Sequence, residues 1–130
     1  MFDLLSGKPK RFISRESHEK NLARQLNMTP QTLVELRKHN VTTESQLKLE
    51  FFFYTNTVEK AAALAKELKE IGYDADHGSS ASDANVKLVT GWSSRMAMRE
   101  DTVLEWTKKM CEVGFGFDCE FDGWGTNPRQ

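Results

Sequence analysis

The sequence predicts an α+β domain: a four-stranded antiparallel sheet with two helices on one face, preceded by a helical extension. Three observations carry this prediction. From residue 46 onward the elements read strand, helix, strand, strand, helix, strand. Two capping-box patterns, Asn56 with Glu59 and Thr102 with Glu105, mark the starts of the two helices. Near the end, Phe115, Phe117, Cys119 and Phe121 alternate strictly with Gly116, Asp118, Glu120 and Asp122, the period of a half-buried strand.

The opening, Phe2 to Phe12, holds Gly7, Pro9 and the basic residues Lys8, Lys10 and Arg11, and reads as an irregular arm. A helix is expected from about Ser14 to Met28, with Leu22, Leu26 and Ala23 on one side. Asn27-Met28-Thr29-Pro30 is expected to break it, since Thr29 suits an N-cap and Pro30 the first position of a second helix ending near His39. Leu33, Val34, Leu36 and Arg37 would span that helix's buried side and rim. A helix-turn-helix reading is disfavoured, because Glu35 would face phosphates. The polar run Thr42-Thr43-Glu44-Ser45 places a boundary between an arm with two short helices, residues 1–45, and the main domain, 46–130.

The main domain opens with a strand over Gln46–Tyr54, with Leu47, Leu49, Phe51 and Phe53 on one face and Phe52 and Tyr54 on the other. Asn56 caps a helix whose stripe is Val58, Ala61, Ala62, Ala65 and Leu68, and which Gly72 ends. A short strand over Tyr73–His77 and a loop over Gly78–Asp83 lead to a third strand, Asn85–Thr90. In that strand Val86 and Leu88 face one side, and Lys87 and Val89 share the open side with Phe52 and Tyr54. After a longer connection, Thr102 opens a helix through Val113, with Gly114 as its stop. Right-handed crossovers then leave one simple topology, the ferredoxin-like βαββαβ sandwich with strand order 4-1-3-2 and the last strand at an edge. Phe52 and Tyr54 are expected to lie under the N-terminal helices.

Composition narrows the function classes. The chain is 130 residues, 38% hydrophobic and 28% charged, which is ordinary for one folded domain rather than a disordered segment. Residues 1–40 carry eight Lys/Arg and four Asp/Glu, whereas residues 41–130 carry ten and fifteen, so the main domain lacks the basic surface of a nucleic-acid binder. No run approaches the roughly 18 apolar residues of a membrane span, and Met1-Phe2-Asp3-Leu4-Leu5 is too short and acidic for a signal peptide, so a cytoplasmic location is expected. Cys111 and Cys119 suit free thiols in a reducing compartment.

The sequence offers little for catalysis. His18, His39 and His77 fall on three different elements, none with reason to lie beside Cys119, which is predicted to face inward. Asp74, Asp76 and His77 are grouped but lack the spacing of a closed metal shell. Gly114-Phe115-Gly116 follows a helix instead of preceding one, the wrong polarity for a phosphate. No cofactor, metal or small-molecule substrate is expected. Binding remains: Asp118, Glu120 and Asp122 form an acidic strip leading into Gly123-Trp124-Gly125-Thr126. The acids suit both protection of an edge strand and docking of a basic segment. Trp124 suits both packing over the sheet edge, with Trp92 a possible companion, and docking.

The closing hexamer Phe121-Asp122-Gly123-Trp124-Gly125-Thr126 resembles the RraB family, the regulators of ribonuclease E activity. Val58-Glu59-Lys60-Ala61-Ala62 and the Leu68…Gly72-Tyr73 helix exit extend the resemblance over roughly residues 47–126. It implies a ferredoxin-like, non-catalytic protein that binds ribonuclease E outside its catalytic half and slows RNA turnover. Family members of that type carry a long acidic C-terminal tail, where this sequence has Asn127-Pro128-Arg129-Gln130. A ferredoxin-like binding module with an unrelated protein or RNA partner is the alternative.

Overall fold

A computed structural model describes residues 10–130. Most of the expected irregular arm, and the Met1–Leu5 stretch, lie outside these described residues. Ser14 opens the first helix, α1 (Arg15–Arg37), where its hydroxyl accepts a hydrogen bond from the Ser17 N–H at 3.1 Å.

Helix α1 runs straight through Pro30, so the two expected short helices are one helix of 23 residues. An interior proline costs a helix about 3 kcal/mol, which packing must offset. Here Asn21, Gln25, Thr29 and Leu33 recur at four-residue spacing as one buried stripe that keeps its register across the proline. The first three are polar, so a search for apolar periodicity does not find the stripe. Thr29 is consequently a buried interior residue and not an N-cap, and Ala23 and Val34 face solvent.

The long first strand divides. Gln46–Leu47 (β1) pairs with Met96–Ala97 (β5) as a small antiparallel ribbon, and Glu50–Thr55 (β2) enters the main sheet. Between them Leu49 bonds Ser93 instead of a ladder partner: its N–H donates to the Ser93 hydroxyl, and its carbonyl accepts from the Ser93 N–H. Helix α2 (Val58–Glu70) starts one residue later than expected, with Thr57 and not Asn56 receiving the Lys60 N–H. Strands β3 (Asp74–Ser79) and β4 (Lys87–Trp92) form a hairpin.

Helix α3 (Glu100–Gly116) is longer at both ends than expected, and Arg99 begins it without a side-chain cap. Thr102 therefore lies inside it. The expected strand over residues 115–121 is the largest correction. Phe115 and Gly116 are helical, and the strand β6 is Glu120–Gly125. The helix ends at Asp118, which takes the left-handed backbone that usually calls for glycine, with φ 59°. The N–H groups of Phe117 and Cys119 both return to the Gly114 carbonyl, at 3.0 and 2.8 Å. Gly114 itself is buried inside the helix, where a β-carbon would sit 2.7 Å from the Phe53 ring and 2.8 Å from the Cys119 carbonyl oxygen. It lets α3 approach the sheet.

The main sheet is antiparallel throughout, in the order β3-β4-β2-β6, which is the expected order of its four strands. Phe51, Phe53, Val89 and Phe121 face a core shared with α2 and α3, to which α1 adds Leu33 and Leu36. Phe53 pairs with Val89, so the parity expected for the third strand is reversed: Val89 points inward, and Leu88, Thr90 and Trp92 share the other face with Phe52 and Tyr54. The fold is thus α+β, with three helices and a four-stranded antiparallel sheet. Helix α1 packs on α3 and alongside β6. It does not lie across the second face, and Phe52 and Tyr54 remain half-exposed there instead of being covered.

Candidate functional site

The seven residues singled out in the closing motif are divided by the structure into separate tasks. Asp118 is nearly buried and precedes the strand. Its carboxylate accepts the Phe12 and Ile13 N–H groups at 2.7 and 2.9 Å and pairs with the Lys60 ammonium at 2.7 Å. Burial alone would raise its pKa, but the hydrogen bond from Lys60 and those from Phe12 and Ile13 prevail, and the carboxyl is held below its ordinary value. Beside it, Phe115 stacks on His18 at 4.2 Å, and the Arg11 and Arg15 guanidiniums lie over the ring at 4.4 and 5.3 Å. Asp118 and Phe115 therefore fasten the segment leading into α1 to the end of α3.

Glu120 and Asp122 do not form an even strip with Asp118. A bulge in β6 opposite Phe52 and Phe53 leaves Asp122 without a cross-strand partner, so Phe52 pairs with Gly123 and Phe53 with Phe121. Gly123 has φ 140°, a conformation closed to side-chain-bearing residues, which fixes the bulge at this point. Glu120 lies 3.9 Å from Arg24 of α1. Asp122 is exposed and makes no ion pair among the described residues; partial desolvation pushes its carboxyl up, against the pull of Arg24.

Trp124 is turned inward. Its ring meets Trp106 of α3 edge-on, with centroids 6.4 Å apart, and its companion is therefore Trp106 and not Trp92. The indole N–H donates to Thr29 Oγ1 at 3.1 Å, and Thr29 lies 3.0 Å from Thr107 Oγ1, which donates to the Val103 carbonyl at 2.7 Å. This buried relay joins β6, α1 and α3. Gly125 pairs with Glu50, and Thr126 Oγ1 donates to the Lys48 carbonyl at 2.6 Å.

The edge of β6 is closed by a device the acids did not predict. The side-chain amides of Asn21 and Gln25 donate to the Phe121 carbonyl at 2.8 and 3.3 Å, so α1 occupies the outward-facing edge. The polar i, i+4 spacing of Asn21 and Gln25 was the available signal.

The two thiols are poor nucleophiles. Burial pushes Cys111 up to about 12 and Cys119 up to about 11, and the Cys119 thiol lies against the carbonyls of Lys60 and Phe117 with the Thr55 hydroxyl nearby. Among the described residues no three His, Cys, Asp or Glu side chains are grouped to hold a metal ion.

The second face of the sheet carries the remaining chemistry. Register places Phe52 opposite Thr90, Tyr54 between Leu88 and Glu120, and Trp92 between Glu50 and Asp74. Asp76 lies opposite Thr90. Half-exposed aromatics of the two central strands thus lie among carboxylates. A cleft of about 450 Å³ is lined by Glu50, Lys69, Asp74, Asp76, Thr90 and Trp92. A smaller groove of about 210 Å³ runs between Met28 and Thr32 of α1 and Phe52, Asp122 and Trp124 of the sheet.

Compared with known families, the chain matches the model described as regulator of ribonuclease activity B over residues 26–126. The match begins within α1 and ends at the threonine of the closing hexamer. Among curated proteins, none matches.

Proposed function

The chain belongs to the RraB family of regulators of ribonuclease activity, and on that premise we propose that it is a non-catalytic, cytoplasmic protein that binds ribonuclease E outside its catalytic half and slows RNA turnover. The match over residues 26–126 is the observation that carries this reading. The raised thiol pKa values and the histidines on separate elements support a binding role in preference to a chemical one. No helix among the described residues is long and apolar enough to cross a membrane, which is compatible with action in the cytoplasm. The same reading takes residues 46–130 as a ferredoxin-like sandwich, supported by the antiparallel pairings and the strand order β3-β4-β2-β6.

Within the closing motif, Asp118, Gly123, Trp124, Gly125 and Thr126 serve partner binding by holding the framework, whereas Glu120 and Asp122 present carboxylates at the surface. The test is retention of the full chain on the immobilised non-catalytic half of ribonuclease E, with the catalytic half as control, together with RNA cleavage assays. Retention at micromolar concentration on the first alone, with slower cleavage by the intact enzyme, is expected. Retention on neither half leaves a binding module with a different partner.

A further inference from the structure

We infer that the second face of the sheet, centred on Trp92, is the docking surface, and that it takes an extended, arginine-rich protein segment. This rests on the reading of the chain as a protein-binding regulator, and it specifies the surface and the partner's chemistry. The aromatics Phe52, Tyr54 and Trp92 lie on the adjacent central strands β2 and β4, half-exposed and with no helix across them among the described residues. Flat rings on a sheet serve two kinds of ligand, nucleobases and guanidinium groups. The surrounding charge decides between them. Glu50 and Asp74 flank Trp92, Asp76 lies opposite Thr90, and Glu120 lies beside Tyr54. Among the described residues Glu120 has Arg24 at 3.9 Å, and Lys69 is the one cation lining the cleft, against the carboxylates of Glu50, Asp74 and Asp76. Phosphates approaching these rings would meet carboxylates, whereas arginines would stack on the rings and pair with the acids.

The shape agrees with an extended ligand. From Asp74 through Trp92 to Glu50, the acids and the indole span three neighbouring strands across the sheet. A segment crossing the face gives the carboxylates cations.

The test uses three proteins: the wild type, Asp74→Lys/Asp76→Lys, and Glu59→Lys/Glu112→Lys. Both variants change net charge equally, but Glu59 and Glu112 are exposed on α2 and α3, away from this face. Asp74 and Asp76 are also exposed, so the fold is expected to tolerate reversal, which melting curves check. Each is titrated with ribonuclease E, with a labelled peptide alternating arginine and leucine, and with single-stranded RNA. The inference expects the Asp74/Asp76 variant to lose at least about tenfold in affinity for both protein ligands, with the Glu59/Glu112 variant close to wild type. Trp92→Phe, which preserves a ring, should bind better than Trp92→Ala.

Equal binding of the peptide by all three proteins overturns the inference, as does tighter binding of RNA than of peptide. Binding of ribonuclease E that ignores the Asp74/Asp76 reversal also sinks the surface while leaving the partner intact. Peptide binding without ribonuclease E binding upholds the surface and removes that partner. Binding of neither overturns both.

Discussion

Replacing Asp118 tests how the N-terminal segment is fastened, and its cost can be worked from the contacts. The carboxylate is nearly buried, accepts two backbone N–H groups and pairs with Lys60 at 2.7 Å. Charge-assisted hydrogen bonds contribute about 1.5–3 kcal/mol each, but Lys60 is partly exposed and regains water when the pair is lost. Asp118→Asn keeps one acceptor and tolerates the left-handed backbone, so a loss of about 2–3 kcal/mol is expected at neutral pH. Asp118→Ala loses every acceptor and keeps the strain of a β-carbon at φ 59° without the short polar side chain that eases it, so its cost should exceed that of asparagine. Asp118→Gly removes that strain and should be no less stable than alanine, even though glycine has more freedom to lose on folding. Urea unfolding at several pH values reads these costs. Because the folded-state pKa is lowered, the contribution is present above the ordinary carboxyl range and is lost as pH falls through the folded value. The gap between wild type and Asp118→Asn should therefore close below about pH 4. An asparagine variant as stable as wild type at pH 7, or a gap that does not narrow in acid, would refute the account.

Three further outcomes follow from the packing. Trp124→Ala should cost about 2–3 kcal/mol, less than a fully buried tryptophan because the ring is only partly enclosed, and an unchanged urea midpoint would return Trp124 to a docking role. Gly114→Ala should destabilise by about 1–3 kcal/mol, because its β-carbon meets the Phe53 ring and the Cys119 carbonyl. That is the net cost after the roughly 1 kcal/mol that alanine gains in helix propensity, since the contact with the Cys119 backbone cannot be relieved by a side-chain rotation, so a rise in melting temperature would contradict the close approach of α3. At pH 8 a thiol reagent should label Cys111 and Cys119 in urea but not on the same timescale in the native protein, and rapid native labelling would disprove their burial.

The sheet was legible in the sequence because its strands announce themselves by alternation and its order follows from handed connections. Phe51 and Phe53 faced inward as expected, and the edge position of the last strand held. The errors share a cause, which is one residue doing the work usually done by another. Asp118 replaces glycine at a helix end, so the Phe115–Phe117–Cys119 alternation runs unmarked from helix into turn. A polar stripe replaces an apolar one in α1, which made Pro30 look like a boundary. Asn56 and Thr57 are both good caps, and sequence does not choose between neighbours. The reversed parity of β4 hid the open aromatic face: it moved Val89 into the core and brought Leu88 and Trp92 onto the face of Phe52 and Tyr54.

That reversal also alters what the closing motif is for. Trp124 is engaged by Trp106 and Thr29, Asp118 by the segment entering α1, and the β6 edge by the amides of Asn21 and Gln25. A partner strand pairing with the β6 edge would have to displace α1, and with it the buried Thr29–Thr107 contact and the core residues Leu33 and Leu36. Docking there would cost about what removing a packed helix costs, whereas the face around Trp92 requires no rearrangement of a covering helix among the described residues. In the proposed docking mode the glycines and tryptophan of the motif act on binding indirectly. Gly123 sets the bulge and Trp124 anchors β6 on α1 and α3, β6 pairs with β2, and β2 presents Phe52, Tyr54 and Glu50 to the surface.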